Sequence, residues 1–338
     1  MVALFLFSAC STASLSVDTG RHHGRDTDTA DSADTGDTAD SGDTGDTGPI
    51  IDTGPVEYDC AALPEPTIRE MEGPRGYHDV AFDDLGNLLG TDGRSLLAST
   101  YDGKTSAFVP GLIPEGIDRL PSGDFVATNL GQGTLELISP DGSHSTLATG
   151  LTSGYQITVG PDGDVYVGNV YRSRRPEITK VNAATGELTT WLQLPRGSTP
   201  RMVQFNLDST VAYIATIGSG TVYKVAVGPD LMPTGEPEVF ATGIGSWHDG
   251  LAMDACGNLY VAEYSTAGLY KVTPDGTVST VYSGRTTKYG HGLEWGSGIG
   301  GWRKDAVYLP QPYDNSTVRE VVLGVAAAST VRTWTPAP

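Results

Sequence analysis

The sequence predicts an all-β fold, a six-bladed β-propeller, carried on a flexible acidic tether behind an export signal. Two observations predict the propeller. From about residue 63, short runs of Val, Leu, Thr and Tyr alternate with polar residues between Asp-Gly turns, and one hairpin motif recurs six times. A run of Asp, Thr, Ser and Gly precedes these repeats. We therefore expect a signal peptide over 1–9, a disordered linker over 10–59 and the propeller over 60–338.

The six repeats each resemble an inner strand, a tight turn and a second strand. Their first residues are spaced by 37 to 48 residues, which is the length of a four-stranded blade. The repeats begin, in chain order, at His78, Glu115, Tyr155, Arg201, Asp249 and His291. Closing six blades into a ring leaves only short strand edges, whereas a β-sandwich does not generate six similar motifs at this spacing.

The ring needs a closing strand, and the segment before the first repeat can supply it. Residues 67–71 (TIREM) alternate in polarity and precede the first inner strand. We expect them to lie beside the strands near Tyr308 and over 318–322, so that both ends of the chain build one blade.

The first ten residues favour export. The apolar run over 2–7 is too short to span a bilayer and is typical of a signal-peptide core. The ending Phe7-Ser8-Ala9-Cys10 resembles a bacterial lipobox. We expect lipidation at Cys10 and an exported bacterial lipoprotein that faces the periplasm or the cell surface, with an ordinary secretory signal as the alternative.

The tether and the cysteines agree with this location. Residues 26–48 contain no large apolar side chain, and they lack the Asp-x-Asp-x-Asp-Gly loop with a distal Glu, so we interpret them as a solvated spacer and not as a calcium site. With Cys10 lipidated, Cys60 and Cys256 remain in an oxidising compartment, where a disulfide between them is expected. Two buried free thiols are the alternative.

Charge narrows the range of partners. The chain has 21 basic and 41 acidic side chains, a formal charge of −20. This balance argues against nucleic acid and against electrostatic binding to an anionic membrane. We expect a monomer that binds a small polar molecule and contacts the membrane through its N-terminal lipid alone.

Polar side chains are predicted to converge at one opening of the propeller. The first strand of a blade starts on the face where its second strand ends, because the two form a hairpin. The strand starts given above therefore share a face with His248, which precedes Asp249, and with the second-strand ends at Asp92, Asn129, Asn169, Glu263 and Gln311. We refer to this face as the mouth. Three of the four histidines outside the tether region lie there, which predicts a ligand site.

The repeats, and above all residues 248–264 (HDGLAMDACGNLYVAEY), resemble the regucalcin/gluconolactonase family of six-bladed propellers. The resemblance implies a divalent ion at the mouth, calcium or zinc, and we expect Asp249, Glu115 and His78 as its ligands. Asp249 matches the family's aspartate, His78 stands at the position of its first glutamate and Arg201 at that of its asparagine. Arginine does not lose its proton in proteins, so Arg201 is not a ligand.

Two classes of function follow. The first is hydrolysis of a lactone or ester, with Glu115 and either a bound cation or a histidine base, His78 or His291, activating water. Arg201 would then stabilise the oxyanion or bind a substrate carboxylate. The alternative is a non-catalytic propeller, with Tyr155, His248, Asn129, Asn169 and Glu263 contacting the ligand. A lyase of the virginiamycin B type is a third reading of the same resemblance.

Overall fold

The computed structural model describes residues 58–169, 176–283, 290–313 and 316–328. The chain divides into two units, Met1–Gly54 and Pro55–Pro338, and all described residues belong to the second. The signal peptide, Cys10 and the acidic tether lie outside them, so those three expectations stay predictions. Among the described residues, no helix has the length and apolarity needed to cross a membrane.

The described residues form an all-β propeller of six four-stranded antiparallel sheets, which confirms the predicted fold. The strands of the N-terminal half, through the third blade, are β1 (Thr67–Met71), β2 (Ala81–Phe82), β3 (Leu88–Thr91), β4 (Leu96–Ser99), β5 (Thr105–Val109), β6 (Ile117–Arg119), β7 (Phe125–Asn129), β8 (Thr134–Ile138), β9 (His144–Thr149), β10 (Gly154–Val159), β11 (Val165–Asn169), β12 (Glu177–Val181) and β13 (Leu188–Gln193).

The remaining three blades follow the same plan. Their strands are β14 (Thr199–Phe205), β15 (Val211–Ile217), β16 (Val222–Ala226), β17 (Glu238–Ala241), β18 (His248–Met253), β19 (Leu259–Glu263), β20 (Gly268–Val272), β21 (Val278–Tyr282), β22 (Glu294–Trp295), β23 (Ala306–Gln311) and β24 (Thr317–Val322). Each of the first five blades takes four consecutive strands from β2 onward, and the sixth has the order β1-β24-β23-β22.

The turns that join inner and second strands use the residues that the repeat predicted. Oδ1 of Asp83 accepts hydrogen bonds from the backbone N–H of Leu85 (3.0 Å) and of Asn87 (2.7 Å). Gly86 has a φ of 79°, a left-handed conformation that glycine adopts without a steric penalty. Asp254 closes the β18–β19 turn by accepting from the backbone N–H of Asn258 at 2.8 Å. These short turns hold both strands of each hairpin in register.

The core lies between neighbouring blades, where the apolar faces of two sheets pack together. Between the third and fourth blades the rings of Tyr166, Trp191 and Phe205 meet edge to face, with centroids 5.0 to 6.0 Å apart. All three are buried. Such contacts repeat around the ring and make each blade depend on its neighbours.

The predicted closing strand is confirmed. β1 pairs antiparallel with β24, from Thr67 opposite Val322 to Met71 opposite Val318, and β24 pairs with β23. Glu70 strengthens the junction because it accepts hydrogen bonds from Arg319 (2.7 Å) and Gln311 (2.5 Å). The N-terminal segment therefore completes the blade built from the C-terminal end.

The predicted disulfide is confirmed too. Cys60 and Cys256 are bonded, with their Cα atoms 5.6 Å apart and a separation of 196 positions in sequence. Cys256 lies in the β18–β19 turn, at the end of the hairpin opposite to the mouth. The bond ties the segment before β1 to the fifth blade and is structural.

Two truncations test the closure. Deleting residues through Asp52 should leave the denaturant-unfolding curve unchanged, whereas deletion through Gly73 should abolish the single cooperative transition, because it removes β1. The longer deletion also removes Cys60, so Cys60→Ser in the full chain is the control. The control loses loop-closure stabilisation of about 5 kcal/mol in the chain-entropy model but should stay cooperative. A long truncation that unfolds like the control would contradict the closure.

Candidate functional site

The structure brings the six predicted strand starts together at the mouth. His78 lies just before β2, Glu115 before β6 and His291 before β22, while Tyr155, Arg201 and Asp249 lie within β10, β14 and β18. Each of the six is within contact distance of at least one other. The side chains form a connected cluster, which we call the mouth cluster.

β-Bulges set the side-chain direction of three of these residues. The pairing register shifts between Gly154 and Ile157, between Pro200 and Met202, and between His248 and Gly250. Tyr155, Arg201 and Asp249 lie inside these shifts. Because a bulge turns one residue out of the regular alternation, it lets a strand that packs in the core also present a polar side chain to the mouth.

A buried ion pair between Arg201 and Asp249 forms the centre of the cluster. Nε of Arg201 lies 2.6 Å from Oδ1 of Asp249, and the two side chains are 2% and 0% exposed. A second guanidinium nitrogen donates to the backbone oxygen of Asn169 at 3.1 Å. The guanidinium carbon lies 3.6 Å from the centre of the Tyr155 ring, a cation–π contact. The charge of Arg201 is therefore neutralised and its planar group is covered.

Glycine makes this arrangement possible. A Cβ on Gly168 would lie 1.9 Å from the backbone oxygen of Arg201, closer than any side chain can come. The backbones of β11 and β14 therefore approach each other closely only because residue 168 is glycine. This approach brings the carbonyl of Asn169 within reach of the guanidinium.

Asp249 also joins blades through its backbone. Its carbonyl oxygen accepts hydrogen bonds from the N–H of Gly292 at 2.8 Å and from the side-chain amide of Gln156. Its second carboxylate oxygen lies 3.2 Å from Nδ1 of His291. Gln156 is 1% exposed and was not among the predicted site residues. Its position directly after Tyr155 in the sequence is the signal that would have found it.

The second part of the cluster is more open and centres on His78. Nε2 of His78 lies 2.9 Å from Oε2 of Glu115, and these two side chains are 14% and 18% exposed. Nδ1 of His78 lies 3.1 Å from the hydroxyl of Tyr155. The imidazole is therefore held between a carboxylate and a phenol while part of its surface faces the opening.

Burial sets the protonation of these groups. It lowers the pKa of His291 well below its usual value, with His78 and Arg201 adding to the effect, so the ring is neutral. It raises the pKa of Tyr155, which stays protonated, and that of Asp249, against the opposing pull of Arg201. Burial also acts to raise the pKa of Glu115, but His78 and a hydrogen bond with Tyr155 outweigh it, and the net shift is downward. Glu115 is thus a carboxylate at neutral pH.

Several predicted ligand-binding residues are buried or make local contacts. His248 is completely buried, which lowers its pKa to about 4. Glu263 accepts hydrogen bonds from the backbone and hydroxyl of Thr266, and the side-chain amide of Asn169 donates to the carbonyl of Glu177. Asn129 closes a turn through its backbone oxygen, which accepts from Gly133 at 2.8 Å.

The other two strand ends behave in the same way. Asp92 accepts from the backbone N–H of Arg94 and of Ser95, and Gln311 bonds to Glu70 in the closing blade. The second-strand ends therefore lie on the predicted face, but in this structure they stabilise loops and the closing blade. The first-strand starts are the residues that form the mouth cluster.

Comparison with known proteins agrees with this architecture. Residues 122–288 match the family model described as the SMP-30/Gluconolactonase/LRE-like region. Over this segment, just under half of its length, the chain is similar to SMP-30/gluconolactonase-like proteins. A comparison with curated protein sequences found no match.

Several solved structures have the same fold as this propeller. A gluconolactonase of Xanthomonas campestris aligns with a TM-score of 0.62 at 13% identity, covering 78% of this chain and 92% of that one. The calcium-binding protein regucalcin of Agrobacterium tumefaciens aligns at 0.61 and 16%, covering 78% and 95%. Virginiamycin B lyase of Staphylococcus aureus aligns at 0.55 and 14%, covering 77% and 100%. At these identities the likeness establishes the fold.

The described residues of this propeller do not fit the divalent ion that the resemblance implies. They contain no group of three or more His, Cys, Asp or Glu side chains placed to hold a metal ion. The expected ligands are divided: His78 and Glu115 pair with each other, while Asp249 is bound by Arg201. A cation about 4 Å from the guanidinium would meet a repulsion of about 4 kcal/mol per unit charge at an effective dielectric near 20.

We expect the wild-type propeller to bind calcium weakly or not at all. Arg201→Asn should bind it more tightly, because the substitution removes the repulsion and adds a carbonyl oxygen beside Asp249. Arg201→Leu is the matched control, since it removes the charge without adding an oxygen, and it should bind less tightly than Arg201→Asn. Isothermal titration with calcium measures all three. Micromolar binding by the wild type, little changed in Arg201→Asn, would contradict this assignment.

Aromatic side chains that the sequence analysis did not single out border the cluster. They are Tyr77, Trp247, Tyr264 and Tyr313, and we call them the aromatic arc. Tyr77 directly precedes His78, Trp247 directly precedes β18, Tyr264 directly follows β19 and Tyr313 lies two residues beyond β23. Each lies within two residues of a predicted mouth position, and inspection of those flanking positions would have found them.

Proposed function

We propose that this propeller hydrolyses a lactone or an ester at its mouth, with His78 as the general base and without a metal ion. The supporting observation is the contact of His78 with Glu115 at 2.9 Å on one side and with the Tyr155 hydroxyl at 3.1 Å on the other. A partly exposed imidazole between a carboxylate and a phenol is suited to moving a proton to and from a bound ligand.

Glu115 selects the reactive form of His78. A carboxylate beside Nε2 favours the tautomer that carries its proton on Nε2, which leaves the basic lone pair on Nδ1. When Nδ1 takes up a proton, the same carboxylate stabilises the imidazolium. Because the pKa of Glu115 is lowered, the carboxylate keeps its charge throughout.

Tyr155 supplies the matching hydrogen-bond donor. Its raised pKa keeps the phenol protonated, and its O–H turns freely about the C–O bond. Without a ligand the phenol can donate to Nδ1 of His78. With a ligand it can turn to the carbonyl oxygen, which leaves Nδ1 open to a water molecule.

The reaction then proceeds in two proton transfers. Nδ1 of His78 takes a proton from water as the water oxygen bonds to the carbonyl carbon, and the Tyr155 hydroxyl stabilises the resulting oxyanion. The carbon–oxygen bond to the leaving group then breaks, and the imidazolium returns its proton to the leaving alkoxide. A lactone yields a hydroxy acid, and an ester yields an acid and an alcohol.

Arg201 and His291 take positioning roles in this proposal. Arg201 is buried against Asp249 and beneath the Tyr155 ring, so it sets the position of that ring and does not bind a substrate carboxylate. His291 is 6% exposed and neutral, and its ring meets His78 edge to face at 5.0 Å. It packs beside the base and holds it in place.

We also propose that the propeller acts outside the cytoplasm, attached to a membrane by a lipid on Cys10, as a monomer. The Cys60–Cys256 disulfide supports this location, because such bonds persist in oxidising compartments. It also leaves Cys10 as the one cysteine of the sequence outside the pair.

Hydrolysis of a lactone panel in the presence of EDTA tests the catalytic proposal. His78→Asn should lower kcat/KM by about 10²-fold or more, the range for loss of a general base. Tyr155→Phe should lower kcat more than it raises KM, because its hydrogen bond forms with the oxyanion. His144→Asn, an exposed histidine on β9, is the control and should keep full activity.

Three results would overturn the proposal. EDTA-sensitive hydrolysis would show that a metal ion is required. Full activity of the His78→Asn variant would show that His78 is not the general base. Binding of lactones without turnover by the wild-type propeller would favour the non-catalytic alternative.

A further inference from the structure

The aromatic arc forms one continuous wall of the mouth, built from blades far apart in sequence. Tyr264 lies near its middle, with ring centroids 5.1 Å from Trp247 and 6.4 Å from Tyr313. Tyr313 in turn lies 6.2 Å from Tyr77. These separations are typical of interacting aromatic pairs, so the four rings act as one surface.

The arc contacts the two histidines of the mouth cluster. Tyr77 meets His78 edge to face with centroids 4.6 Å apart, and Tyr264 meets His291 in the same way at 4.7 Å. His78 and His291 lie 5.0 Å from each other. A ligand ring that packs against the arc therefore lies close to His78, the proposed general base.

Exposure distinguishes these rings from the core. Tyr313 is 56% exposed, and Tyr77, Trp247 and Tyr264 are partly exposed. Single exposed apolar residues are ordinary on protein surfaces, but four neighbouring rings beside a cluster of polar side chains are typical of a ligand site. The hydroxyl of Tyr264 already donates to that of Tyr313 at 3.2 Å, so what these two residues chiefly offer a ligand is ring surface.

We propose that the aromatic arc is a subsite for a flat ring, and that the substrate is an aromatic lactone or an aryl ester. The lactone or ester group of this substrate rests on the proposed hydrolysis. Its aromatic ring is inferred from the arc. An aromatic ligand ring packed against the arc gains favourable edge-to-face and stacked contacts with its rings. Its carbonyl is then within reach of His78 and Tyr155. An aliphatic or polyhydroxylated lactone offers no aromatic ring to these surfaces.

Binding and hydrolysis are measured separately with three probes. These are 3,4-dihydrocoumarin, which fuses a six-membered lactone to an arene, δ-valerolactone, which has the lactone alone, and D-glucono-1,5-lactone, which carries hydroxyl groups. Affinities are measured by ligand-observed NMR with the His78→Asn protein, which should not turn them over. We expect dihydrocoumarin to bind at least about tenfold more tightly than either other lactone. Equal affinities, or a preference for the polyhydroxylated probe, would overturn the inference.

Variants of the arc locate the contact. Tyr264→Leu and Tyr313→Leu, each combined with His78→Asn, should weaken dihydrocoumarin binding about 3- to 10-fold and leave δ-valerolactone binding unchanged. Tyr264→Phe keeps the ring and should stay within about twofold of the parent. Leu85→Ala, at a 72% exposed position in the β2–β3 turn on the opposite face, is the control. Thermal unfolding measurements check that each variant is folded. If Tyr264→Leu does not fold, the Tyr313→Leu variant, at an exposed position, tests the proposal.

The outcomes separate the two proposals. Preferential binding of dihydrocoumarin that depends on the arc, with no hydrolysis by the wild-type propeller, would support the subsite and refute the hydrolase. Hydrolysis of all three lactones at equal efficiency, unaffected by Tyr264→Leu or Tyr313→Leu, would support the hydrolase and refute the subsite.

Discussion

The buried ion pair between Arg201 and Asp249 is the contact around which the mouth is arranged. With 2% and 0% of these side chains exposed, neither charge has water to solvate it, and each depends on the other. The pair links β14 to β18, and its remaining contacts reach Asn169, Tyr155 and His291. Breaking it would leave one charge buried without a partner, so the whole polar centre of the propeller depends on it.

This pair also divides the mouth by function. The buried part of the mouth cluster, with neutral His291, is closed to solvent and holds the neighbouring side chains in position. The more open part, with His78 between Glu115 and Tyr155, carries the groups that we propose for proton transfer. One solved structure with the same fold is a protein described as calcium-binding. In this propeller a guanidinium lies next to Asp249.

The fold and the membership of the mouth cluster could be predicted from sequence, because both follow from the repeat. The spacing of hairpin turns such as Asp84–Asn87 predicted six blades, and the start of each inner strand predicted which residues meet. Side-chain direction could not be predicted in the same way. The bulges at Tyr155 and Arg201 depend on register between strands, and the local loop contacts of Glu263 depend on how each turn closes. Neither follows from the period of the repeat.

A double-mutant cycle on the ion pair tests the central claim most directly. Arg201→Met, Asp249→Asn and the double variant are compared with the wild-type protein by denaturant unfolding in EDTA. Each single variant should lose about 3–5 kcal/mol of unfolding free energy, because it strands a buried charge or its hydrogen-bond partner. The double variant should lose less than the sum of the two, by about 2 kcal/mol or more. Additive losses would show that the two side chains do not depend on each other and would contradict the account.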